Sequence, residues 1–186
     1  MSRFFIEETP LSGLRCVVRQ FRGDERGYLS RIYCSEEFSP LFGERRIEQI
    51  NVTVTAASGV VRGLHYQHPP YSEMKLVCCL RGEVWDVAVD LRTGSPTFLG
   101  WHAEHLSEKN GRCFLIPEGF AHGFQTLTPE VELLYLHSAA YMPGAEGGLN
   151  PQDARLGIPW PLAISNLSDR DKSHPFLDEH FTGIEL

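Results

Sequence analysis

The sequence predicts an all-β fold, and three observations favour that prediction. Glycines and prolines separate short stretches that are rich in β-branched and aromatic residues, which is typical of strands joined by turns. No long stretch of the sequence keeps an apolar period of 3.6 residues. The 186 residues, 42% of them hydrophobic, suffice for one sizeable core but not for two comfortable domains. We therefore expect a single domain over residues 1–186, built as a sandwich or a barrel.

The strands predict what this fold encloses. In "QINVTVT", the polar residues Gln49, Asn51, Thr53 and Thr55 alternate with Ile50, Val52 and Val54. Side chains alternate between the two faces of a strand, so one face of this strand is polar. Several strands of this kind suit a barrel whose outside packs against another sheet and whose inside lines a cavity.

The segment "MKLVCCLRGEVWDVAVDLR" predicts two further strands with a turn at Arg81-Gly82, which we interpret as a hairpin turn. In the second strand one face carries Asp86 and Asp90. Asp86 could pair with a functional residue or be an exposed strand charge. Residues 162–186 are mostly polar and are expected to form one or two short helices folded over the barrel.

Charge and composition exclude several classes of partner. The net charge of −7 provides no basic field for DNA or RNA. No apolar run approaches the roughly 18 residues of a membrane span. The start "MSRFFIEETPLSG" lacks the apolar core of a signal peptide, so we expect a soluble, cytoplasmic protein. Five cysteines without CxxC spacing indicate reduced thiols.

Two motifs place histidines on neighbouring strands. "GRCFLIPEGFAHGF" fits G-x5-P-x-G-x2-H up to His122 and resembles a cupin signature. Its usual partner is G-x5-H-x-H, which "GVVRGLHYQ" fits at His65 but breaks at Gln67. The glutamate expected a few residues later is absent too. A glutamine oxygen is a weak ligand for a transition metal, so we predict no metal and a His65 that is free to exchange protons.

Several longer motifs occur together and in order: "RGDERGY", "QIN", "VVRGLHYQ", "KLV", "GEVWDVAVDLRTGSPTFLGW" and "IPEGFAHGF". With them the chain resembles the dTDP-4-dehydrorhamnose 3,5-epimerase family over roughly residues 5–175. The resemblance implies a cupin-type double-stranded β-helix, or jelly roll, with short C-terminal helices and no metal or other cofactor. It also implies a homodimer with exchanged N-terminal strands, and a nucleotide-linked 4-keto-6-deoxyhexose as substrate.

Epimerisation beside a ketone requires a base, an acid on the opposite face and a group that stabilises the enolate. By the resemblance, His65 is the base and Asp171 in "LSDRD" orients it. Tyr135 is the acid, and Lys75 is the cation near the developing oxyanion. The substrate-binding residues implied in the same way are Arg62 at the diphosphate or oxyanion, His122 in the pocket, and Asp24, Arg26, Tyr28, Gln49 and Asn51 at the nucleotide.

Each assignment has a structural alternative. Asp171 stands three residues after Ser168 and could complete a capping box, a role that can coexist with orienting His65. Tyr135 could be an ordinary strand aromatic. Lys75 and Arg62 could lie on a solvated face. Arg62 lies at odd spacing from His65, so both reach one cavity only if the strand bends at Gly63.

The chain departs from the family pattern at Arg31, where a glutamate is usual, and at Leu136, His137 and Pro151. We therefore expect epimerisation at C3 and C5 of an NDP-4-keto-6-deoxyhexose, with the dTDP-linked sugar favoured. Three alternatives stay open: a 3-only or 5-only epimerase, a metal-dependent cupin oxygenase, and a sugar-binding cupin without turnover.

Overall fold

The computed structural model describes residues 2–186, which form thirteen strands and two α-helices. The prediction of an all-β fold is confirmed. The strands are β1 (Phe4–Glu8), β2 (Arg15–Arg19), β3 (Phe21–Asp24), β4 (Gly27–Ser30), β5 (Gln49–Thr55), β6 (Val61–Gln67), β7 (Lys75–Arg81), β8 (Glu83–Asp90), β9 (Trp101–Ser107), β10 (Arg112–Ile116), β11 (Phe120–Thr126), β12 (Val131–His137) and β13 (Glu146–Gly148). The helices are α1 (Ser35–Phe42) and α2 (Asp169–Ser173), and a 3₁₀ turn covers Pro143–Ala145.

Two antiparallel sheets face each other, as in a jelly roll. The larger sheet has the strand order β1-β2-β10-β7-β12-β5, and the smaller has β13-β6-β11-β8-β9. Strands β3 and β4 form a separate two-stranded hairpin. Apolar side chains of both sheets meet between them, including Val77, Leu133 and Phe114 from the larger sheet and Ala88 and Phe124 from the smaller.

Different segments of the chain cover the outer faces of the two sheets. Helix α1 packs Phe38 and Phe42 against the outer face of the larger sheet, where Leu76 and Cys78 of β7 meet them. Because β7 is buried on both faces, its sequence is a continuous apolar run rather than an alternating one. The C-terminal segment covers the smaller sheet with Leu177 and other apolar residues.

The interpretation of Arg81-Gly82 as a hairpin turn is wrong. Gly82 does turn the chain, with φ of +74°. However, β7 pairs with β10 and β12, whereas β8 pairs with β11 and β9. The turn therefore passes the chain from one sheet to the other. A short glycine-containing turn between two apolar strands fits both geometries, so the local sequence does not distinguish them.

Helix α1 was not predicted. It has only eight residues and contains Pro40, and its N-cap residue Cys34 makes no side-chain cap. Its support comes from tertiary packing, because Phe38 and Phe42 are four residues apart and share the buried face. Such a helix leaves little periodic signal in the sequence. Within residues 2–186 every helix is too short to cross a membrane.

Candidate active site

A β-bulge in β6 brings the side chains of Arg62 and His65 to one cavity. His65 lies opposite His122 of β11, while Arg62 lies opposite Phe124, so three steps on β6 match two on β11. Gly63 makes this bulge possible, since its φ is +112° and a Cβ there would lie 2.6 Å from the His122 carbonyl oxygen. Arg62 and His65 consequently line the same cavity despite their odd spacing.

This cavity has a volume of about 600 Å³ and is lined by residues of both sheets and of the C-terminal segment. Seven of the eleven residues proposed from the sequence line it: Asn51, Arg62, His65, Lys75, His122, Tyr135 and Asp171. They come from strands β5, β6, β7, β11 and β12 and from helix α2. Parts of the chain that are far apart in sequence are therefore gathered at one place.

His65 and Asp171 form a hydrogen-bonded pair, with Nε2 of the imidazole 2.7 Å from Oδ1 of the carboxylate. The Gly63 N–H donates to the other carboxylate oxygen over 3.3 Å. Burial acts to raise the pKa of Asp171, but the bonds from His65 and Gly63 and the charge of His65 more than offset it, so this pKa lies below its ordinary value. Asp171 is thus a carboxylate at neutral pH. It engages Nε2 of His65 and leaves Nδ1 as the ring nitrogen that is not bonded to it.

Half of the capping box also forms. Ser168 is the N-cap of α2, and its hydroxyl accepts a hydrogen bond from the Asp171 backbone N–H over 3.0 Å. The Asp171 carboxylate, however, bonds with His65. The cap fixes the first turn of the helix, and this turn directs the carboxylate at the imidazole.

His122 has a carboxylate partner of its own, Asp86. The His122 Nε2 and the Asp86 Oδ1 are 2.5 Å apart, and the Asp86 side chain is fully buried. Asp86 is therefore a partner of a cavity residue and not an exposed strand charge.

Tyr135 faces the cavity from the larger sheet, opposite the strand that carries His65. Burial raises the pKa of its hydroxyl well above the ordinary value. The hydroxyl therefore stays protonated at neutral pH, as a proton donor must. Its ring lies edge-on to the His122 ring, 6.0 Å away, and parallel to that of His137.

Lys75, Glu73 and His137 form a chain of buried ion pairs. The Lys75 ammonium lies 3.1 Å from Glu73, whose other oxygen lies 2.7 Å from Nδ1 of His137. Burial acts to raise the pKa of Glu73, but His137 and Lys75 outweigh it and lower this pKa. Glu73 was not proposed from the sequence, although its place two residues before Lys75 on the entry to β7 was a usable signal. His137, noted only as unusual, proves to be its partner.

Two neighbours of Asp171 in the sequence, Arg170 and His174, were not proposed from the sequence. The Arg170 Nη2 lies 3.0 Å from Nε2 of His65 and donates to Glu146 over 2.9 Å. His174 lies three residues after Asp171, and its ring packs edge-on to His65 with centroids 5.5 Å apart. Burial, then the charge of His65, lowers the pKa of His174. Because Arg170 and His174 lie within one helical turn of Asp171, their positions in the sequence could have indicated that they lie near it.

Gln67 has a structural role. Its amide nitrogen donates to the carbonyls of Tyr71 and Ala140, and its oxygen accepts from the Met142 N–H over 2.6 Å. The side chain ties together the loops at the cavity mouth. Within residues 2–186, the one group of His, Cys, Asp or Glu side chains close enough to hold a metal is His65, Asp171 and His174.

Four of the proposed binding residues do not line this cavity. Asp24, Arg26 and Tyr28 lie on the exposed β3–β4 hairpin, where Arg26 pairs with Asp24. Gln49 lies outside the lining and accepts from the Tyr141 N–H. Within this chain these residues are not brought to the cavity that contains His65.

The four residues that depart from the family pattern have different surroundings. Arg31 pairs with Glu37 of α1 at 2.6 Å. Leu136 is buried in the core under α1, and the Pro151 carbonyl accepts from the Trp160 indole. His137 is thus the one of the four that lines the cavity.

Comparison with known proteins agrees with this geometry. The model of the family described as dTDP-4-dehydrorhamnose 3,5-epimerase matches residues 8–179. The chain belongs to this epimerase family. The enzyme of that name from Salmonella typhimurium is 42% identical over 158 residues, which are 84% of this chain and 86% of that protein.

Solved structures of the epimerase family share the fold. The Bacillus anthracis dTDP-4-dehydrorhamnose 3,5-epimerase with TDP and PPi bound superposes with a TM-score of 0.90 at 36% identity, covering 94% of this chain and 99% of that one. The Legionella pneumophila dTDP-6-deoxy-D-glucose-3,5-epimerase in complex with dTDP-4-keto-L-rhamnose gives 0.88 at 38% identity, covering 93% and 92%. The cupin-type jelly roll, the family resemblance and the assignment to the isomerases are confirmed.

Proposed function

We propose that this epimerase inverts C3 and C5 of an NDP-4-keto-6-deoxyhexose, with dTDP-4-keto-6-deoxyglucose as the favoured substrate. The observation that carries the proposal is the placement of a His–Asp pair and a protonated tyrosine on opposite sheets of one cavity. Removal of a proton from one face of a sugar and its return to the other require such an arrangement.

The reaction follows from the residues. Nδ1 of His65 takes the proton from the carbon beside the ketone, and the electron pair of the C–H bond moves onto the ketone oxygen as an enolate. Asp171 stabilises the imidazolium that forms. The Lys75 ammonium stabilises the enolate oxygen. Tyr135 returns a proton to the opposite face, and the enolate collapses to the ketone. His65 then gives its proton to solvent and Tyr135 takes one from solvent, which restores both groups. The same steps at the second carbon complete the double inversion without a metal or other cofactor.

Arg62 and Arg170 are candidates to bind the phosphate groups that are attached to the sugar. Both line the cavity and carry guanidinium groups, which bind phosphate oxygens with two parallel hydrogen bonds. The salt bridge of Arg31 to Glu37 supports a base subsite that does not depend on Arg31. We therefore place the diphosphate at Arg62 and expect modest discrimination between nucleotide bases.

A homodimer would complete the site. Tyr28 and Leu29 of the β3–β4 hairpin are 66% and 68% exposed, and edge strand β5 exposes Ile50, Val52 and Val54. Clusters of exposed apolar side chains of this kind are typical of interfaces. We propose that the N-terminal strands exchange between subunits, so that Asp24, Arg26 and Tyr28 serve the partner's cavity. The five free cysteines support a cytoplasmic location.

The dimer can be tested with one substitution and a matched control. Val52→Asp should shift the mass measured by light scattering from dimer to monomer, because a charge would be buried at the interface. Phe176→Asp alters an apolar residue of similar exposure on the C-terminal segment and should leave the dimer intact. A wild-type protein that is monomeric at micromolar concentration would refute this part of the proposal.

The reaction is tested by NMR of dTDP-4-keto-6-deoxyglucose in D₂O with the purified protein. Deuterium should enter C3 and C5, and the L-configured sugar should accumulate. Exchange at one carbon alone would identify a 3-only or 5-only epimerase, and no exchange with retained binding would identify a binding protein. Activity that is abolished by a chelator would instead support a metal-dependent enzyme.

A further inference from the structure

The epimerase mechanism leaves one buried imidazole beside the catalytic pair without a role. His174 follows α2 directly, and its Nε2 lies 3.8 Å from Oδ1 of Asp171. This nitrogen is buried, and it has no hydrogen-bond partner among residues 2–186. A buried ring nitrogen that is held near a carboxylate but not bonded to it is uncommon, since buried polar atoms normally find a partner.

The backbone is shaped to hold this ring. Gly148 of β13 lies opposite His65, and a Cβ at Gly148 would overlap the His174 imidazole. Only a glycine therefore leaves room for the ring at this point. The side chain of His174 is 15% exposed, so packing fixes its orientation beside the catalytic pair.

We propose that His65, Asp171 and His174 form a binding site for a divalent transition metal ion such as Zn²⁺, and that the bound ion inhibits the enzyme. One ligand atom of each residue lies within 4.8 Å of the others. Ligand atoms of a tetrahedral zinc ion are roughly 3.3 Å apart, so modest side-chain movements would close the set. Two imidazole nitrogens and one carboxylate oxygen suit Zn²⁺, whereas Mg²⁺ and Ca²⁺ prefer oxygen ligands.

This site differs from the metal site usual in cupins. The position of the second histidine is taken by Gln67, whose amide groups are bonded to backbone. His122 is engaged by Asp86. The proposed site instead combines one strand histidine with two residues of the C-terminal segment.

Arg170 opposes binding and offers a way to test it. Its Nη2 lies 3.0 Å from Nε2 of His65, where it would repel a cation. The side chain is half exposed and already bonded to Glu146, so it can turn away from His65. Loss of this positive charge should strengthen metal binding, which is an effect opposite to that of damage to the fold.

Inhibition follows from the tautomer of His65, and this step rests on the proposed function. The Nε2–H of His65 now donates to Asp171. A neutral imidazole that binds a metal through Nε2 carries its proton on Nδ1. His65 then has no lone pair with which to take the substrate proton. The ion should therefore stop proton exchange while nucleotide binding continues at the other end of the cavity.

The first experiment measures binding without any assay of activity. Zinc chloride is titrated calorimetrically into metal-free wild type and into three variants. Wild type should bind one ion, His174→Ala should lose that binding, and Arg170→Gln should bind more tightly. His180→Ala is the matched control, since this histidine lies on the same segment with its side chain 85% exposed, and it should bind like wild type. MgCl₂ should give no signal.

The second experiment measures deuterium exchange into substrate with and without Zn²⁺. Wild type should lose exchange and regain it with a chelator, whereas His174→Ala should keep its exchange in the presence of the ion. Equal zinc affinity in His174→Ala and wild type would overturn the site, as would weaker binding in Arg170→Gln. If zinc binds as described but metal-free wild type exchanges no protons, the site stands and the proposed function fails.

Discussion

The substitution Asp171→Asn tests the pairing on which the proposed chemistry depends. An asparagine has one acceptor and one donor, whereas the carboxylate accepts from both His65 and the Gly63 N–H. If its oxygen faces His65, its amino group opposes the Gly63 N–H. If it is turned round, its amino group donates to Nε2 of His65 and forces the proton onto Nδ1. Either orientation impairs the base.

The magnitude follows from the contact that is lost. The Asp171 side chain is 4% exposed and that of His65 28%, so solvent screens their interaction only partly. A hydrogen bond to a charged group contributes about 1.5–3 kcal/mol, and about 1.36 kcal/mol corresponds to a tenfold change in rate. We expect the rate of deuterium exchange to fall about 10- to 150-fold when the imidazolium loses its counter-charge, and further if the wrong tautomer dominates.

The assay is deuterium incorporation into substrate by NMR, with nucleotide affinity measured separately by calorimetry. Asp169→Asn is the matched control, because it removes the same charge from the same turn of α2 where the side chain is fully exposed. Its exchange rate should stay within about twofold of wild type. A rate for Asp171→Asn equal to that of Asp169→Asn, or an equal loss of nucleotide affinity, would refute the role of the pair.

Three further outcomes are expected. Tyr135→Phe should retain exchange at one carbon at least, while net inversion falls because the proton donor is lost; an equal loss of both would indicate a binding role. Gly63→Ala should lower the free energy of unfolding by about 3 kcal/mol, because its φ is strained for alanine and the added Cβ would overlap backbone atoms. Gly94→Ala is the control and should cost about 1 kcal/mol, because its Cβ would meet nothing within 4 Å. Equal melting temperatures of the two variants would contradict this prediction. Burial acts to raise the pKa of Asp90, but hydrogen bonds from Arg92 and two hydroxyls lower it overall. The stability that the ionised Asp90 contributes is therefore present above its ordinary pKa of 3.8 and is lost as pH falls through the lower pKa of the folded state. In urea titrations at several pH values, Asp90→Asn should reduce the loss of unfolding free energy at acid pH.

The sequence predicts best what depends on local spacing. The alternation in β5 places Asn51 on the cavity side, and the alternation in β8 places Asp86 on the inner face. The glycine between Arg62 and His65 indicated the bulge that both side chains require. In each case the signal lies within a few residues on one strand, where period and backbone freedom decide which way a side chain points.

Features that depend on the path of the chain could not be predicted in this way. The Arg81-Gly82 turn is compatible with a hairpin or with passage between sheets, and only the pairing of β7 with β10 and β12 decides between them. Helix α1 is stabilised by packing rather than by propensity. The link from Glu73 to His137 joins residues 64 positions apart. Their partnership is set by the register of β7 against β12, which no motif specifies.

Besides the Glu73–His137 pair, two histidine–carboxylate pairs lie at the cavity, and their surroundings favour one of them as the proposed base. His65 and His122 are directly opposed on neighbouring strands, with Asp171 and Asp86 as their partners. The side chain of His122 is 6% exposed, while that of His65 is 28% exposed. A base must reach the carbon that it deprotonates, so of these two histidines His65 has the better access for the proposed role. His122 instead packs edge-on against Tyr135, the proposed acid. The partner of His65 comes from the C-terminal helix and that of His122 from the barrel itself. Docking of α2 therefore distinguishes the pair that we propose to be catalytic from the second pair.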